Sequence, residues 1–148
     1  SSPSRGLGDV YKRQVLAFLM PIVASMGGNA GMQTLAVTVR TIATNDLNQN
    51  NFSKNVSKEF SIGILNGIIF AAISALIVQI WFQDSILSLI IAISMVLTMI
   101  IAGLFGILVP FTLKKMNIDP AIASSVFVTT ITDVIGFVSF LGVGAYFF

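Results

Sequence analysis

Four long apolar segments separated by polar links are the feature that most constrains how this chain folds. Charged residues make up only 9% of its 148 residues, whereas soluble domains carry about 25%. A helix needs about 20 apolar residues to cross the hydrocarbon core of a bilayer, and each segment reaches that length. We therefore predict an all-α membrane protein, a bundle of four transmembrane helices in contact with membrane lipid. The predicted helices cover about residues 15–44, 60–81, 85–113 and 121–148.

The residue types that the chain lacks narrow its chemistry. It has no cysteine and no histidine, so disulfides, thiolate chemistry and nucleophilic catalysis of the Ser-His or Cys-His kind are excluded. The ligands that zinc, copper, nickel and iron prefer are missing too, which leaves oxygen donors and a hard cation for any metal site. Eight basic residues are too few for a nucleic-acid surface. We expect neither an enzyme nor a nucleic-acid-binding protein.

The opening segment, SSPSRGLGDVYKRQ, differs from the rest of the chain in being polar, basic and rich in glycine and serine. A signal peptide has a short apolar core followed by a small-residue cleavage site, and no convincing site follows here. We expect residues 1–14 to form a leader that is non-native or disordered. The domain that concerns function then spans residues 15–148.

The distribution of lysine and arginine predicts an orientation in the membrane. Cytoplasmic links of membrane proteins carry an excess of both residues, and the link between the second and third segments has neither. We therefore predict a multi-pass protein of the plasma membrane, with links 45–59 and 114–119 in the cytoplasm and the C-terminus outside. The basic residues behind this prediction are Arg40, Lys54, Lys58, Lys114 and Lys115.

Asp133, in the sequence TTITDVIGF, is the one acidic residue well inside an apolar segment. A carboxylate at the centre of a membrane helix costs about 2.5–3.5 kcal/mol on insertion scales. Such residues usually face the interior of a helix bundle or a watery path, and they mark ion or substrate pathways. Asp133 is therefore the first candidate for a functional residue.

A stripe of small and polar residues surrounds Asp133 at helical spacing. Two interpretations stay open for this stripe. Small residues let membrane helices approach each other and hydroxyls bond across them, so the stripe can serve packing alone; alternatively, it lines a polar pathway. The pathway candidates on this segment are Ser125, Thr129, Thr130, Thr132 and Gly136, and Ser139 continues the stripe.

The sequence PIVASMGGNAGMQ in the first segment is the second candidate. Its glycines are expected to weaken the helix and to free backbone carbonyls, which a hard cation could use together with the Asn29 amide oxygen. Close helix packing through small residues is the alternative. Asn29 and Gln33 favour the functional interpretation because polar side chains are uncommon inside a membrane. The further pathway candidates here are Gly27, Gly28 and Gly31.

Two stretches together resemble the membrane domain of MgtE-type magnesium transporters. The first, MPIVASMGGNAGMQTLAVTVRTIA, is similar to that family's motif of proline, Gly-Gly-Asn-x-Gly-x-Gln and a helix ending in arginine. The second, GILVPFTLKKMNIDPAIASSVFVTTITDVIGF, is similar to its pattern of proline, a basic pair, Asp-Pro-Ala and Thr-x-x-Asp. The resemblance covers about residues 15–148. Two motifs in the same order make it more specific than either motif alone.

The resemblance implies a homodimeric magnesium channel with its ion path along the dimer axis. The helices that match the first and fourth segments would line this path. Asp133 matches the family's pore carboxylate, Thr129 the residue one turn earlier, and Asn29 the asparagine of the glycine motif. The transported and pore-bound ion would be hydrated Mg²⁺, between two symmetry-related carboxylates.

The resemblance also implies parts that this chain does not contain. The family has five membrane helices per subunit, so we expect one further helix before those seen here. We also expect regulatory cytoplasmic domains upstream of that helix.

Two other functions remain open at the level of sequence. A proton-coupled secondary transporter would use Asp133 as its titrating group, although proton relays usually contain a second acid or histidine. A non-transporting membrane assembly subunit would pair Asp133 with a basic residue on a partner helix. An intramembrane aspartyl protease needs two carboxylates that share a proton, and the other candidates lie in links or at helix ends: Asp46, Glu59, Asp84 and Asp119.

Overall fold

The computed structural model describes residues 3–43 and 52–147, and the described residues form helices without any strand. Each of the four helices contains a stretch long and apolar enough to cross a membrane. The predicted fold class, an all-α bundle of four membrane helices, is therefore confirmed. Residues 44–51 and 148, which the sequence assigned to helix ends and to the first link, lie outside the described residues. The helices are α1 (Pro3–Ala43), α2 (Phe52–Phe82), α3 (Ser85–Lys115) and α4 (Pro120–Phe147).

The helices extend beyond the predicted apolar segments at several ends. α1 begins at Pro3, so residues 3–14 of the leader continue into the first span as one helix; that the leader is non-native stays a prediction. α2 begins at Phe52, which places the last turns of the predicted 45–59 link in a helix. Polar residues propagate an existing helix at little cost once its apolar part is held by packing.

The turn between α2 and α3 is short and well capped. Gln83 adopts a left-handed backbone conformation with φ of 54° and ends α2. One carboxylate oxygen of Asp84 then accepts hydrogen bonds from the backbone N–H groups of Ile86 and Leu87, at 3.0 and 3.2 Å. Such an N-cap satisfies donors that the first turn of a helix leaves unpaired. Asp84 therefore serves the start of α3.

The turn between α3 and α4 uses the same device. Asn117 takes the left-handed conformation, with φ of 61°. Asp119 accepts a hydrogen bond from the backbone N–H of Ala121 at 2.9 Å, and Pro120 is the first residue of α4. Proline is favoured at this position because its ring presets the helical φ and the missing N–H has no intrahelical partner there. The Asp119–Pro120 pair is therefore the N-terminal signal of α4, which begins one residue before the predicted segment.

α3 is the central helix of the bundle. It packs against each of the other three helices, and α1 and α4 also pack against each other, whereas α2 packs mainly on α3. Glycines set the α2–α3 distance: a Cβ added at Gly63 would lie 2.9 Å from Ile100 Cα, and one at Gly67 would lie 3.0 Å from Val96 Cα. α1, α3 and α4 thus form a compact unit to which α2 is attached by one face.

The largest apolar cluster joins the four helices towards the N-terminal part of α1. Lipid tails are as apolar as these side chains, so dense van der Waals packing rather than removal from water stabilises the cluster. A smaller cluster packs around Phe111 towards the C-terminal end of α1. Fully buried members of the large cluster include Val23, Ile90, Ile91, Met95 and Phe140.

α1 passes through the glycine motif as a continuous helix. The expectation of a weakened helix with freed carbonyls is wrong, since residues Pro3–Ala43 are helical throughout and no described glycine has a positive φ. The physical reason is close helix packing. A Cβ at Gly31 would lie 2.9 Å from Val128 Cγ1, and one at Gly106 would lie 2.9 Å from the Gly31 carbonyl oxygen.

Candidate functional site

Among the described residues, Asp133 has no hydrogen-bond or ion-pair partner. Four carboxylates lie among the described side chains, Glu59, Asp84, Asp119 and Asp133, and two of them cap helices. Asp133 lies half-buried near the middle of α4 and forms neither a hydrogen bond nor an ion pair with any described residue. A carboxylate within a membrane helix is unfavourable unless a polar or charged group lies near it.

Thr129 and Thr130 lie one turn before Asp133, and both are exposed. Residues three and four apart on a helix share a face, so the two hydroxyls flank the carboxylate. The Thr129 hydroxyl donates a weak hydrogen bond to Met32 Sδ of α1 at 3.8 Å. Thr129 therefore lies at the exposed edge of the contact between α4 and α1. Ser125, a further turn earlier, is half-buried.

Asn29 and Gln33 lie one turn apart on α1, and both side chains are exposed. Asn29 is three residues before Met32, so it lies on the side of α1 that meets Thr129. The structure therefore brings Asn29, Thr129 and Asp133 to one outward face of the α1–α4 pair. It does not join them by a hydrogen bond. We name this surface, formed by Asn29, Thr129 and Asp133, the α1–α4 face.

Thr132 and the glycines facing it lie behind the α1–α4 face. Thr132 is fully buried, and its hydroxyl donates to the Thr129 carbonyl oxygen at 3.0 Å. Gly28 is half-buried, and a Cβ added there would come to 3.9 Å from the Thr132 hydroxyl oxygen. Gly27 is buried, and an added Cβ would collide with the Thr98 methyl group of α3. Gly27 and Thr132 hold α1, α3 and α4 together.

Gly31 and Gly136 are also buried, each at a crossing of α1 and α4. Gly31 meets Val128, and a Cβ at Gly136 would lie 3.0 Å from Ala24 Cα. For these residues the contacts agree with the packing interpretation of the small-residue stripe. That residues of the two motifs line a pore stays a prediction. The candidates exposed on the surface of the described bundle are Asn29, Gln33, Thr129 and Thr130. Gly28, Ser125 and Asp133 are half-buried.

The described residues of one molecule do not bring several carboxylates together around a single cation. No group of three or more acidic residues, histidines or cysteines comes together among residues 3–43 and 52–147. The donors on the α1–α4 face are a single carboxylate, an amide and a hydroxyl. Such a set suits a cation that keeps most of its water, because neutral oxygens and one carboxylate can bind the water shell.

Sequence reasoning missed two polar features. Ser94, Thr98 and Ser124 have fully buried hydroxyl oxygens that find no hydrogen-bond partner in the described part of the chain. The available signal was the spacing of Ser94 and Thr98, one turn apart in an apolar helix. Glu59 was assigned to a link, whereas it lies within α2 and accepts a hydrogen bond from the Thr34 hydroxyl at 3.2 Å.

The four apolar helices define a multi-pass membrane protein, and one span carries a carboxylate, Asp133, without a partner among the described residues. A family model for MgtE divalent cation transporters matches residues 20–143. The chain belongs to this family, and the family resemblance seen in the sequence is confirmed.

Relatives with a stated function are found in three bacteria, each described as the magnesium transporter MgtE. The chain is 34% identical over 140 residues to that of Bacillus subtilis (strain 168), covering 94% of this chain and 31% of the relative. It is 30% identical over 138 residues to that of Enterococcus faecalis (93% and 30%). It is 34% identical over 130 residues to that of Thermus thermophilus (86% and 28%). The chain thus spans about a third of the length of these relatives.

Proposed function

We propose that this protein transports Mg²⁺ across the membrane through a channel-like pore in which Asp133 is the pore carboxylate. The observation that carries the proposal is the position of Asp133, unpaired and half-buried within an apolar span. Placing a charge there costs about 2.5–3.5 kcal/mol, and helix packing gains nothing from it. A passing cation supplies the missing partner. We infer the identity of the ion from family membership and from the magnesium transporters among the relatives.

The chemistry of the α1–α4 face suits hydrated Mg²⁺. This ion requires near-octahedral oxygen geometry and gives up its water reluctantly, so protein sites bind it through one or two carboxylates and several waters. Asp133 supplies the charge. Thr129 and Asn29 supply neutral oxygens on the same face, which can accept hydrogen bonds from the water shell. Mg²⁺ is the transported ion in this scheme and not a resident cofactor.

The proposed assembly is a homodimer with the α1–α4 face at its axis. Asp133 and Thr129 lie on the surface of a helix that is mostly exposed within one subunit. Lipid cannot solvate a carboxylate, so this face needs a cover that leaves room for water. A second copy related by a two-fold axis would bring a second Asp133 to the same level. Charged rings of this kind give pores their selectivity for cations.

The proposed orientation places the α3–α4 turn in the cytoplasm. Lys114 and Lys115 end α3, and both are exposed. The Lys115 ammonium lies 4.8 Å from the centre of the Phe111 ring, which holds it near the end of the span. The positive-inside rule then puts the 45–59 link on the same side and the C-terminus outside, in the plasma membrane.

The test of this function is ion entry into liposomes that contain the protein, produced from its complete reading frame. A Mg²⁺-sensitive dye inside the vesicles would report entry after Mg²⁺ is added outside, with the pH equal on both sides. We expect entry well above that into protein-free vesicles, because a channel needs no proton gradient. Entry that requires an imposed pH gradient would instead indicate the proton-coupled transporter. No entry from folded protein would contradict magnesium transport.

A further inference from the structure

A cleft lined by both apolar and polar residues lies between α1, α2 and α3. Its volume is about 170 Å³, well above the roughly 10–15 Å³ on this measure that one water needs, so it has room for several waters. α1 contributes Gln33 and Thr34, and α2 contributes Glu59 and Asn66. Four polar side chains line this cleft, two from the second half of the α1 span and two from the first half of the α2 span. We name this space the Glu59 cleft.

Glu59, like Asp133, is a described carboxylate that caps no helix. One of its oxygens accepts the hydrogen bond from the Thr34 hydroxyl at 3.2 Å, which crosses from α1 to α2. No other described group bonds to the carboxylate, so its second oxygen has no protein partner. A half-buried carboxylate on a membrane helix is costly unless a partner is present. A single neutral hydroxyl compensates its charge only in part.

Two amide side chains in the cleft also have no partner among the described residues. Asn66 is half-buried and Gln33 is exposed, and neither forms a hydrogen bond with a described residue. Asn66 lies seven residues after Glu59, two turns along the same face of α2. Gly63 stands between them without a side chain, and Gly103 of α3 forms part of the opposite wall. Gly63 also packs closely on α3, since an added Cβ would lie 2.9 Å from Ile100 Cα.

We propose that the Glu59 cleft is a second binding site for a divalent cation. The cation would enter the cleft with part of its water shell. The donors are the Glu59 carboxylate together with the oxygens of Thr34, Asn66 and Gln33. One carboxylate, neutral oxygens and room for several waters are what Mg²⁺ and similar hard cations require. The inference rests on the proposed function for the identity of the cation. It adds a site that lies outside the α1–α4 face.

The neighbouring lysines do not neutralise the Glu59 carboxylate. Lys54 and Lys58 precede Glu59 on α2, and both side chains are exposed. Lys58 is adjacent in sequence and so projects about 100° away around the helix. Neither lysine lines the cleft or forms an ion pair with Glu59. The charge of Glu59 therefore remains available to an ion from solution.

The Glu59 cleft lies next to the proposed pore. Gln33, which lines the cleft, is one turn after Asn29 of the α1–α4 face. Glu59 lies near the start of α2, beside the link that the positive-inside rule assigns to the cytoplasm. A cation at this position would occupy the cytoplasmic end of α1 and α2 while Asp133 serves the middle of α4.

The test counts bound Mn²⁺ by electron paramagnetic resonance, because Mn²⁺ takes the same oxygen ligands as Mg²⁺. The protein, from its complete reading frame in detergent micelles, would be compared with Glu59→Gln, Asp133→Asn and the double variant. Asp84→Asn is the matched control, since asparagine also caps helices. We expect Glu59→Gln to lose one ion per chain, Asp84→Asn to lose none, and the double variant to lose more than either single variant.

Each outcome separates the cleft from the pore. An unchanged count in Glu59→Gln overturns the second site, whatever Asp133→Asn does. A count that falls in Glu59→Gln but not in Asp133→Asn keeps the cleft and counts against Asp133 as an ion site. If Glu59→Gln does not fold, Asn66→Ala decides: we expect its affinity to be weakened at least about tenfold, and an unchanged affinity overturns the proposal.

Discussion

The four described carboxylates take two roles according to what surrounds them. Asp84 and Asp119 stand at helix starts, where free backbone N–H groups bind their oxygens. Asp133 and Glu59 lie within helices, where the backbone N–H groups are already used. The same chemical group is therefore structural at a turn, whereas within a span we propose that it binds a cation.

Hydroxyl groups divide in the same way. Thr132 donates to a backbone carbonyl, whereas the Thr98 hydroxyl is buried without a partner. An unsatisfied buried polar group costs about 1–3 kcal/mol. The methyl group of Thr98 is the part that packs on Gly27, and valine retains that methyl.

Thr98→Val is accordingly expected to raise the free energy of unfolding by about 1 kcal/mol. Thr132→Val, which removes a made hydrogen bond, is the comparison and is expected to lower it by about 0.5–1 kcal/mol. Unfolding by SDS in mixed micelles, followed by circular dichroism, measures both. A larger loss for Thr98→Val than for Thr132→Val would show that the Thr98 hydroxyl has a partner, such as a buried water.

At the scale of elements, glycines determine how closely the helices approach. The glycine motif of α1 meets α3 at Gly27 and α4 at Gly31, and Gly136 of α4 meets Ala24. In a bilayer such contacts are a main source of helix association, because apolar burial alone does not separate protein from lipid. The α1–α4 face depends on them, since they fix Asn29 and Thr129 on the same side.

Two glycines of α4 test this dependence. Gly136→Ala would place a Cβ 3.0 Å from Ala24 Cα, so the helices must separate, at a cost of about 1–3 kcal/mol. Gly142→Ala is the matched control, because nothing lies within 4 Å of its added Cβ; it is expected to be neutral or to stabilise by up to about 1 kcal/mol. The same unfolding measurement applies. Equal effects of both variants would contradict a packing role for Gly136.

Much of the element structure is predictable from the sequence. Segment length alone predicts four spans, and the Asp119–Pro120 pair predicts where α4 starts. The continuity of α1 is not predictable from local propensity, because tertiary packing at Gly27 and Gly31 outweighs the helix-weakening tendency of glycine. Glu59 was missed for a related reason: a polar run reads as a link until the helix that extends into it is seen.

The site itself is predictable only in part. Asp133 stands out because a carboxylate is rare in a span, and helical spacing places Thr129 beside it. That Thr132 and Gly136 are buried, while Thr129 and Asn29 are exposed, depends on where α1 and α3 cross α4. The spacing of residues along one helix does not show which of its sides the neighbouring helices cover.

At the scale of the whole molecule, we propose that a second copy covers the α1–α4 face. The chain has no cysteine, so one introduced cysteine can form a disulfide only between two molecules. We expect Thr129→Cys to give a cross-linked dimer in membranes under mild oxidation. Ile73→Cys, exposed on α2, is the matched control and is expected to stay monomeric on denaturing gels. Efficient cross-linking at Ile73 but not at Thr129 would place the dimer axis at α2.

The most direct test of the account is Mg²⁺ entry into liposomes with the parent protein, Asp133→Asn and Asp84→Asn measured side by side. Asparagine is nearly the same size as aspartate but carries no charge, so it cannot bind the passing ion in the same way. We predict that Asp133→Asn abolishes entry or lowers it at least about tenfold, the change that corresponds to 1.4 kcal/mol. Asp84→Asn should match the parent. Undiminished entry through Asp133→Asn would contradict the account and move the ion path away from the α1–α4 face.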